Sequence, residues 1–251
     1  VSGVRVTFAG SGDAFGSGGR LQACVHLSPV DGPPILLDCG ATALVGLKRH
    51  GIEPNDVGTV VLSHLHGDHF AGLPYLILDG QFRRRTGPLE VIGPPGTEER
   101  LRQVMELLFP GSTRITRRFE VTVHEIEPHG RLDLAGLSVQ AYPAEHFAGA
   151  PALSLRIGLG GRVIAYSGDT AWTDTLITVA DGADLFICEA YTSTRAVPFH
   201  LHLPMLRDNL PRLTCRRIVL THAGPDVLAR AGELDLEAHL ELADDDRVID
   251  I

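Results

Sequence analysis

The run Ser63-His64-Leu65-His66-Gly67-Asp68-His69 limits what this chain can fold into more than any other stretch. It follows a strand-like apolar segment at 59–63, so a buried strand gives way at once to three imidazoles and a carboxylate. His64 and His66 stand two apart, and an extended backbone turns both rings to one side. Gly67 permits a turn that brings Asp68 and His69 close behind. So many donors in so short a run would strain a single ion. They suit two adjacent cations, each taking further ligands from elsewhere in the chain. A lone histidine is usually a solvated or core residue, but this spacing at the end of an apolar strand is not a lone histidine.

Further donors stand where other apolar runs stop: His146 after the run ending at 145, Asp169 after VIAYSG, and His222 after IVLT. Strand ends along one edge of a sheet are where site residues gather in layered folds. The runs themselves read as short strands at 4–9, 22–28, 34–38, 59–63 and 89–93, and again at 119–126, 131–144, 152–158, 162–169, 184–190 and 216–222. Gly136 and Gly160-Gly161 mark turns. Helical spacing appears at 41–51 and 96–109, with shorter helices expected near 173–181 and 203–210. Two strand-rich halves with helices between them predict stacked sheets flanked by helices in one domain, an α/β architecture.

The protein has 251 residues and a net charge of −9. That acidity disfavours broad electrostatic binding to nucleic acid, although a local basic groove stays compatible with it. Lys48 is the single lysine, and the other basic residues are arginines. Cys24, Cys39, Cys188 and Cys215 form no CxxC pair, so a cysteine-rich zinc knuckle is excluded and buried free thiols are expected. Without a disulfide framework, leader pattern or membrane-length apolar stretch, the reading is a cytoplasmic protein with no membrane partner.

HLHGDH at 64–69, the later His146, GDT at 168–170 and THAG at 221–224 together resemble the metallo-β-lactamase superfamily. The resemblance implies a four-layer αββα sandwich over the whole chain. It also implies two divalent metal ions, zinc favoured with manganese or iron as alternatives. His64, His66 and His146 would hold one ion, Asp68, His69 and His222 the other, and Asp169 would bridge them. A cluster of that kind attracts anionic small molecules and makes water reactive as a bridging hydroxide. Asp68 would also orient the nucleophile.

Within the superfamily, GSGDAFGSGGR at 10–20, LLDCG at 36–40, SHLHGDHFAGLP and YSGDT resemble the ribonuclease Z-like branch. That likeness puts a Glu-Ala pair at Glu189-Ala190 and a proton-donating histidine at His200, oriented by Glu189. His202 is its rival, because the expected His-Ser-Thr is replaced here by His200-Leu201-His202. Ribonuclease Z carries a long arm for transfer RNA between the residues matching His146 and Asp169. Here a plain hairpin pattern fills that interval.

The function expected is hydrolysis of a small or nucleotide-like phosphodiester. The alternatives are a carboxylic ester, lactone or thioester substrate, RNA 3′-processing of the ribonuclease Z type, or a non-catalytic or redox metal-binding relative. The family resemblance also makes a homodimer an expectation.

Among weaker signals, the glycines at 10–12 read as a tight turn beside the cleft rather than a nucleotide cradle. The arginines at 83–85, 114, 117 and 118 read as a solvated face. Trp172 is suited to wall the pocket or to fill core, and Asp38 to support a ligand histidine by a hydrogen bond. His26, His50, His124, His129 and His239 read as structural or surface residues.

Overall fold

The computed structural model describes residues 3–234 and 240–251, so His239 lies outside the described residues. The first sheet holds β1 (Val4–Gly10), β2 (Cys24–Pro29), β3 (Ile35–Leu37), β4 (Thr59–Val61), β5 (Leu89–Gly93) and β6 (Val121–Glu125). The second holds β7 (Arg131–Leu134), β8 (Leu137–Pro143), β9 (Leu153–Leu159), β10 (Arg162–Tyr166), β11 (Leu185–Glu189), β12 (Ile218–Thr221) and β13 (Leu240–Leu242). The last strand, β14 (Val248–Asp250), crosses back to pair antiparallel with β1. The strand orders are β14-β1-β2-β3-β4-β5-β6 and β13-β12-β11-β10-β9-β8-β7.

Alternation along the strands sorts the side chains into three apolar layers. Val6, Phe8, Val25, Leu27, Leu37 and Val61 of the first sheet meet Val139, Leu155, Ile164 and Ile187 of the second in the central layer. Residues of opposite parity, such as Leu36, Val60 and Val91, face outward and are covered by α1 (Ala43–Arg49), α3 (Leu73–Phe82) and α4 (Thr97–Leu108). The short α2 (Gly67–Phe70) packs into this outer layer through Phe70. On the far side, Ala165, Phe186, Cys188 and Leu220 are covered by α5 (Thr175–Ala180), α6 (Leu203–Asn209), α7 (Pro225–Leu228) and α8 (Ala231–Leu234). Helix, sheet, sheet, helix is the four-layer αββα order that the resemblance implied.

Two local expectations change. Helix α3 was not anticipated, because its buried set Leu73, Pro74, Leu76, Ile77 and Gly80 leaves no clean polar stripe. Arg85 is not solvated: it is 5% exposed, and its guanidinium donates to the carbonyls of Gly87, Val57 and Pro88. The arginine triplet therefore serves partly as a clamp between the α3 end and the turn before β4. Among the described residues no helix is long and apolar enough to cross a membrane. The four cysteines are unpaired, and only Cys215 is partly accessible.

Candidate metal centre

β4, β10 and β12 all release a site residue within a few positions of their carboxyl ends. The segment after β4 carries His64 and His66, and His66 caps α2, whose first turns carry Asp68 and His69. In the second sheet, β8 leads to His146, β10 to Asp169 and β12 to His222. His222 takes φ +55°, a strained left-handed value for a residue other than glycine, and its N–H donates to the carbonyl of Ser11 at 3.0 Å. The Gly10-Ser11-Gly12 turn thus borders the cleft by holding the backbone of His222.

All seven side chains meet. Ligand-type atoms of His64, His66 and His146 form one group, and those of Asp68, His69, Asp169 and His222 form another, each group within 4.8 Å. Asp169 stands between them: Oδ1 is 3.2 Å from His69 Nε2, and Oδ2 is 3.4 Å from His222 Nε2 and 3.9 Å from both His64 and His146 Nε2. His66 Nδ1 and His146 Nε2 approach to 3.0 Å.

In three of the histidines the ring nitrogen turned away from the cluster has a protein neighbour. His69 Nδ1 donates to Asp38 Oδ2 at 2.6 Å, His146 Nδ1 to the Phe199 carbonyl at 2.9 Å, and His64 Nδ1 lies 3.0 Å from Ser63 Oγ. Such contacts set which nitrogen faces inward. Inside the cluster, His64 Nε2, His69 Nε2 and Asp169 Oδ1 are buried without a hydrogen-bond partner. Burial of unpartnered polar atoms is costly, and a cation between them would satisfy all three, so the donor set fits divalent metal.

The charge states of His64, His66 and His146 point the same way. Burial, with help from His69, drives His64 well below the usual imidazole range, and burial likewise lowers His66 and His146. These three are held neutral, the form that donates a lone pair. Burial is the largest influence and opposes a charge on His69 and His222, but neighbouring carboxylates together outweigh it and raise both: Asp169 and Asp38 at His69, and Asp169, Asp68 and Glu189 at His222. Burial also opposes ionisation of Asp169, yet His222 and His69 keep its carboxyl well below the ordinary range.

His200 also arrives here, with its ring centroid 5.0 Å from that of His146 and Nδ1 4.0 Å from Asp169 Oδ2. Its Nδ1 is 3.2 Å from Oε2 of the buried Glu189. Burial lowers His200, while burial and Asp169 push Glu189 well above the carboxylate range. His202 stays outside this cluster at the start of α6.

Two supports were not anticipated from the sequence. Tyr191 packs its ring 4.7 Å from His200 and 5.8 Å from His222. Asp226 accepts from the N–H groups of Ser193 and Thr194 at 2.8 and 2.9 Å, pinning the loop that ends at His200. Burial resists ionisation of Asp226, but these donors hold its carboxyl down at about 2. Neither residue lies in a recognisable motif.

A paired-sheet sandwich with a His/Asp cluster at one end defines a metallohydrolase of the metallo-β-lactamase class. The chain belongs to that superfamily: the beta-lactamase superfamily domain matches residues 34–223. The ribonuclease Z of Methanothermobacter thermautotrophicus is 28% identical, with 74% of each chain covered. Human tRNase Z, short form, superposes with a TM-score of 0.79 at 25% identity over 98% of both chains. A diphosphatase from the PhnP family gives a TM-score of 0.78 at 21% identity, covering 98% of this chain and 97% of its own. The chain is a ribonuclease Z-like hydrolase of this superfamily.

Proposed function

We propose that this protein is a metal-dependent phosphodiesterase that cleaves a small or nucleotide-like phosphodiester. The observation that carries the reading is the Glu189–His200 pair beside the seven-residue cluster. His64, His66 and His146 would hold one divalent ion and Asp68, His69 and His222 the other, with Asp169 shared. When bound, such ions supply Lewis acidity for water and for the charge that builds on phosphoryl oxygens. Zinc suits the histidine-rich set best, and manganese and iron suit its carboxylates.

His200 acts as general acid. The contact to Glu189 occupies Nδ1 and leaves Nε2 as the nitrogen that hands a proton to the departing oxygen. Asp68, 3.3 Å from both His222 and His69, orients the attacking water. Among the described residues His202 has no such carboxylate partner, which favours His200 for the acid. The PhnP-family neighbour is a diphosphatase, which supports phosphorus–oxygen chemistry here. RNA processing is the weaker reading, since the β9–β10 hairpin fills the interval where ribonuclease Z carries its arm, and the net charge is −9. We place the protein in the cytoplasm, on its free thiols.

A panel of bis-p-nitrophenyl phosphate, a cyclic nucleotide, a lactone and a thioester tests the bond type. Turnover of phosphodiesters is expected, and hydrolysis of the carbonyl substrates alone overturns the reading. His200→Ala should lower kcat by roughly 10²- to 10⁴-fold with metal content unchanged. Loss of metal instead would reassign His200 as a ligand.

A further inference from the structure

A groove of about 400 Å³ is lined at one point by His200. Its apolar walls are Trp172, Val197, Pro198, Phe199 and Met205, with His200, His202 and the exposed Glu145 also lining it. Among the described residues no lysine or arginine lines it. We propose that this groove seats the leaving group of the substrate, and that the leaving group is a flat, uncharged, apolar moiety. The proposal rests on the hydrolase reading above and adds the chemistry of the departing half.

The placement follows from the proton. In diester hydrolysis, water oxygen bonds to phosphorus and the bond from phosphorus to the departing oxygen breaks with its electron pair. The departing oxygen takes the His200 proton, and a proton from the attacking water restores the imidazole. The acid must reach the departing oxygen directly. His200 borders both the cluster, through Asp169 and His146, and the groove, so a substituent on the departing oxygen runs past the imidazole into the groove.

The walls set the selectivity. Trp172 is a fixed plate: its indole N–H donates to Asp174, which is itself paired bidentately with Arg212 at 2.9 and 2.8 Å. Its ring also packs on the outer core of the second sheet. Phe199 is held at φ +68°, an uncommon value for an aromatic residue, while its carbonyl accepts from His146. The backbone that orients one candidate ligand therefore also places an aromatic wall. A ring lying on Trp172 gains dispersion and area burial. A second phosphate there would lose water beside Glu145 with no lysine or arginine to pair with it, which is unfavourable.

The test uses metal-loaded protein and methyl phosphodiesters of three alcohols: ethanol, 2-phenylethanol and ethylene glycol monophosphate. The phenylethyl ester should exceed the ethyl ester in kcat/KM by about tenfold or more, and the phosphate-bearing ester should fall below both. Trp172→Ala should collapse the phenylethyl preference, and Trp172→Phe should restore much of it. Trp172 is the single tryptophan, so 2-(4-nitrophenyl)ethanol should quench the intrinsic emission saturably. A preference that survives Trp172→Ala, a favoured phosphate-bearing ester, or quenching without saturation each overturns the inference. Acetate esters of the same alcohols separate it from the bond-type reading. If only the acetates are cleaved, in the same order, the phosphodiesterase reading falls and the groove assignment stands. If neither series is cleaved, both fall.

Discussion

At the scale of single residues, Asp38 gathers four buried hydrogen bonds. It sits at φ +58° just past β3 and accepts from Ser63 N–H, Ser63 hydroxyl, His69 Nδ1 and the hydroxyl of Tyr166. Tyr166 belongs to the opposite sheet, so one carboxylate ties the two sheets together and orients a candidate ligand. Asp38→Ala leaves four buried donors without an acceptor and should weaken metal retention roughly 10- to 100-fold, read by metal analysis after dialysis. Tyr166→Phe removes a single bond, should cost about 1 kcal/mol in urea denaturation, and should retain metal.

His26, buried on β2, gives a pH prediction independent of the centre. Burial, with His50 nearby, lowers its imidazole to about 4. The unfolded chain takes that proton near the ordinary value of about 6.5. Stability is therefore full above that value and falls as pH drops from there towards 4, by at most about 1.4 kcal/mol per pH unit. His26→Leu should flatten this slope in urea melts between pH 7.5 and 5. An unchanged slope would show that other groups carry it.

The HxHxDH run was legible because its spacing carries its own chemistry. Tyr166 and Tyr191 were not, because an aromatic residue in an apolar run announces core and nothing about where its ring or hydroxyl ends up.

At the scale of elements, the fit of α2 and α3 under the β3 exit is tight. A Cβ on Gly40 would lie 2.2 Å from the Asp68 carbonyl oxygen, and one on Gly72 would lie 2.1 Å from the Gly40 carbonyl oxygen. Gly40→Ala should force the α2 turn outward and destabilise the fold by about 1–3 kcal/mol. It should lower metal content with it, because Asp68 and His69 ride on that turn. Gly87→Ala, where an added Cβ meets nothing within 4 Å, is the control and should change neither melting temperature nor metal content. These elements also mark where legibility ended. Helix α4 showed itself through an exposed polar face, whereas α3, apolar on several sides, carried no period to read. Strand positions were visible, but most ended a residue or two sooner than the apolar runs, where turn geometry and not hydrophobicity sets the limit.

At the scale of the molecule, the candidate centre draws His64, His66, Asp68 and His69 from the half built on the first sheet. His146, Asp169 and His222 come from the second. Bound metal would thus favour the docked sandwich over separated halves. Chelation should lower the melting temperature, and restoring free metal to a hundred times its Kd should return about 2.7 kcal/mol of stability. Equal melting with and without chelator would place the ions off this cluster. The layered architecture was readable from two strand-rich halves; the return of β14 to the first sheet was not, since nothing in a short terminal run says which edge it joins.

That return strand sets the protein's response to force. Val4 and Ile251 exchange reciprocal backbone bonds at 2.9 and 3.0 Å, so tension applied through them opens the β1–β14 ladder one rung at a time, an unzipping geometry that yields at low load. β1 runs directly into the Ser11 carbonyl that holds the His222 backbone. A tether pulling on Val4 and Ile251 would strip Ile249, Val6 and Phe8 from the central layer and then reach the Ser11 carbonyl beside the candidate centre.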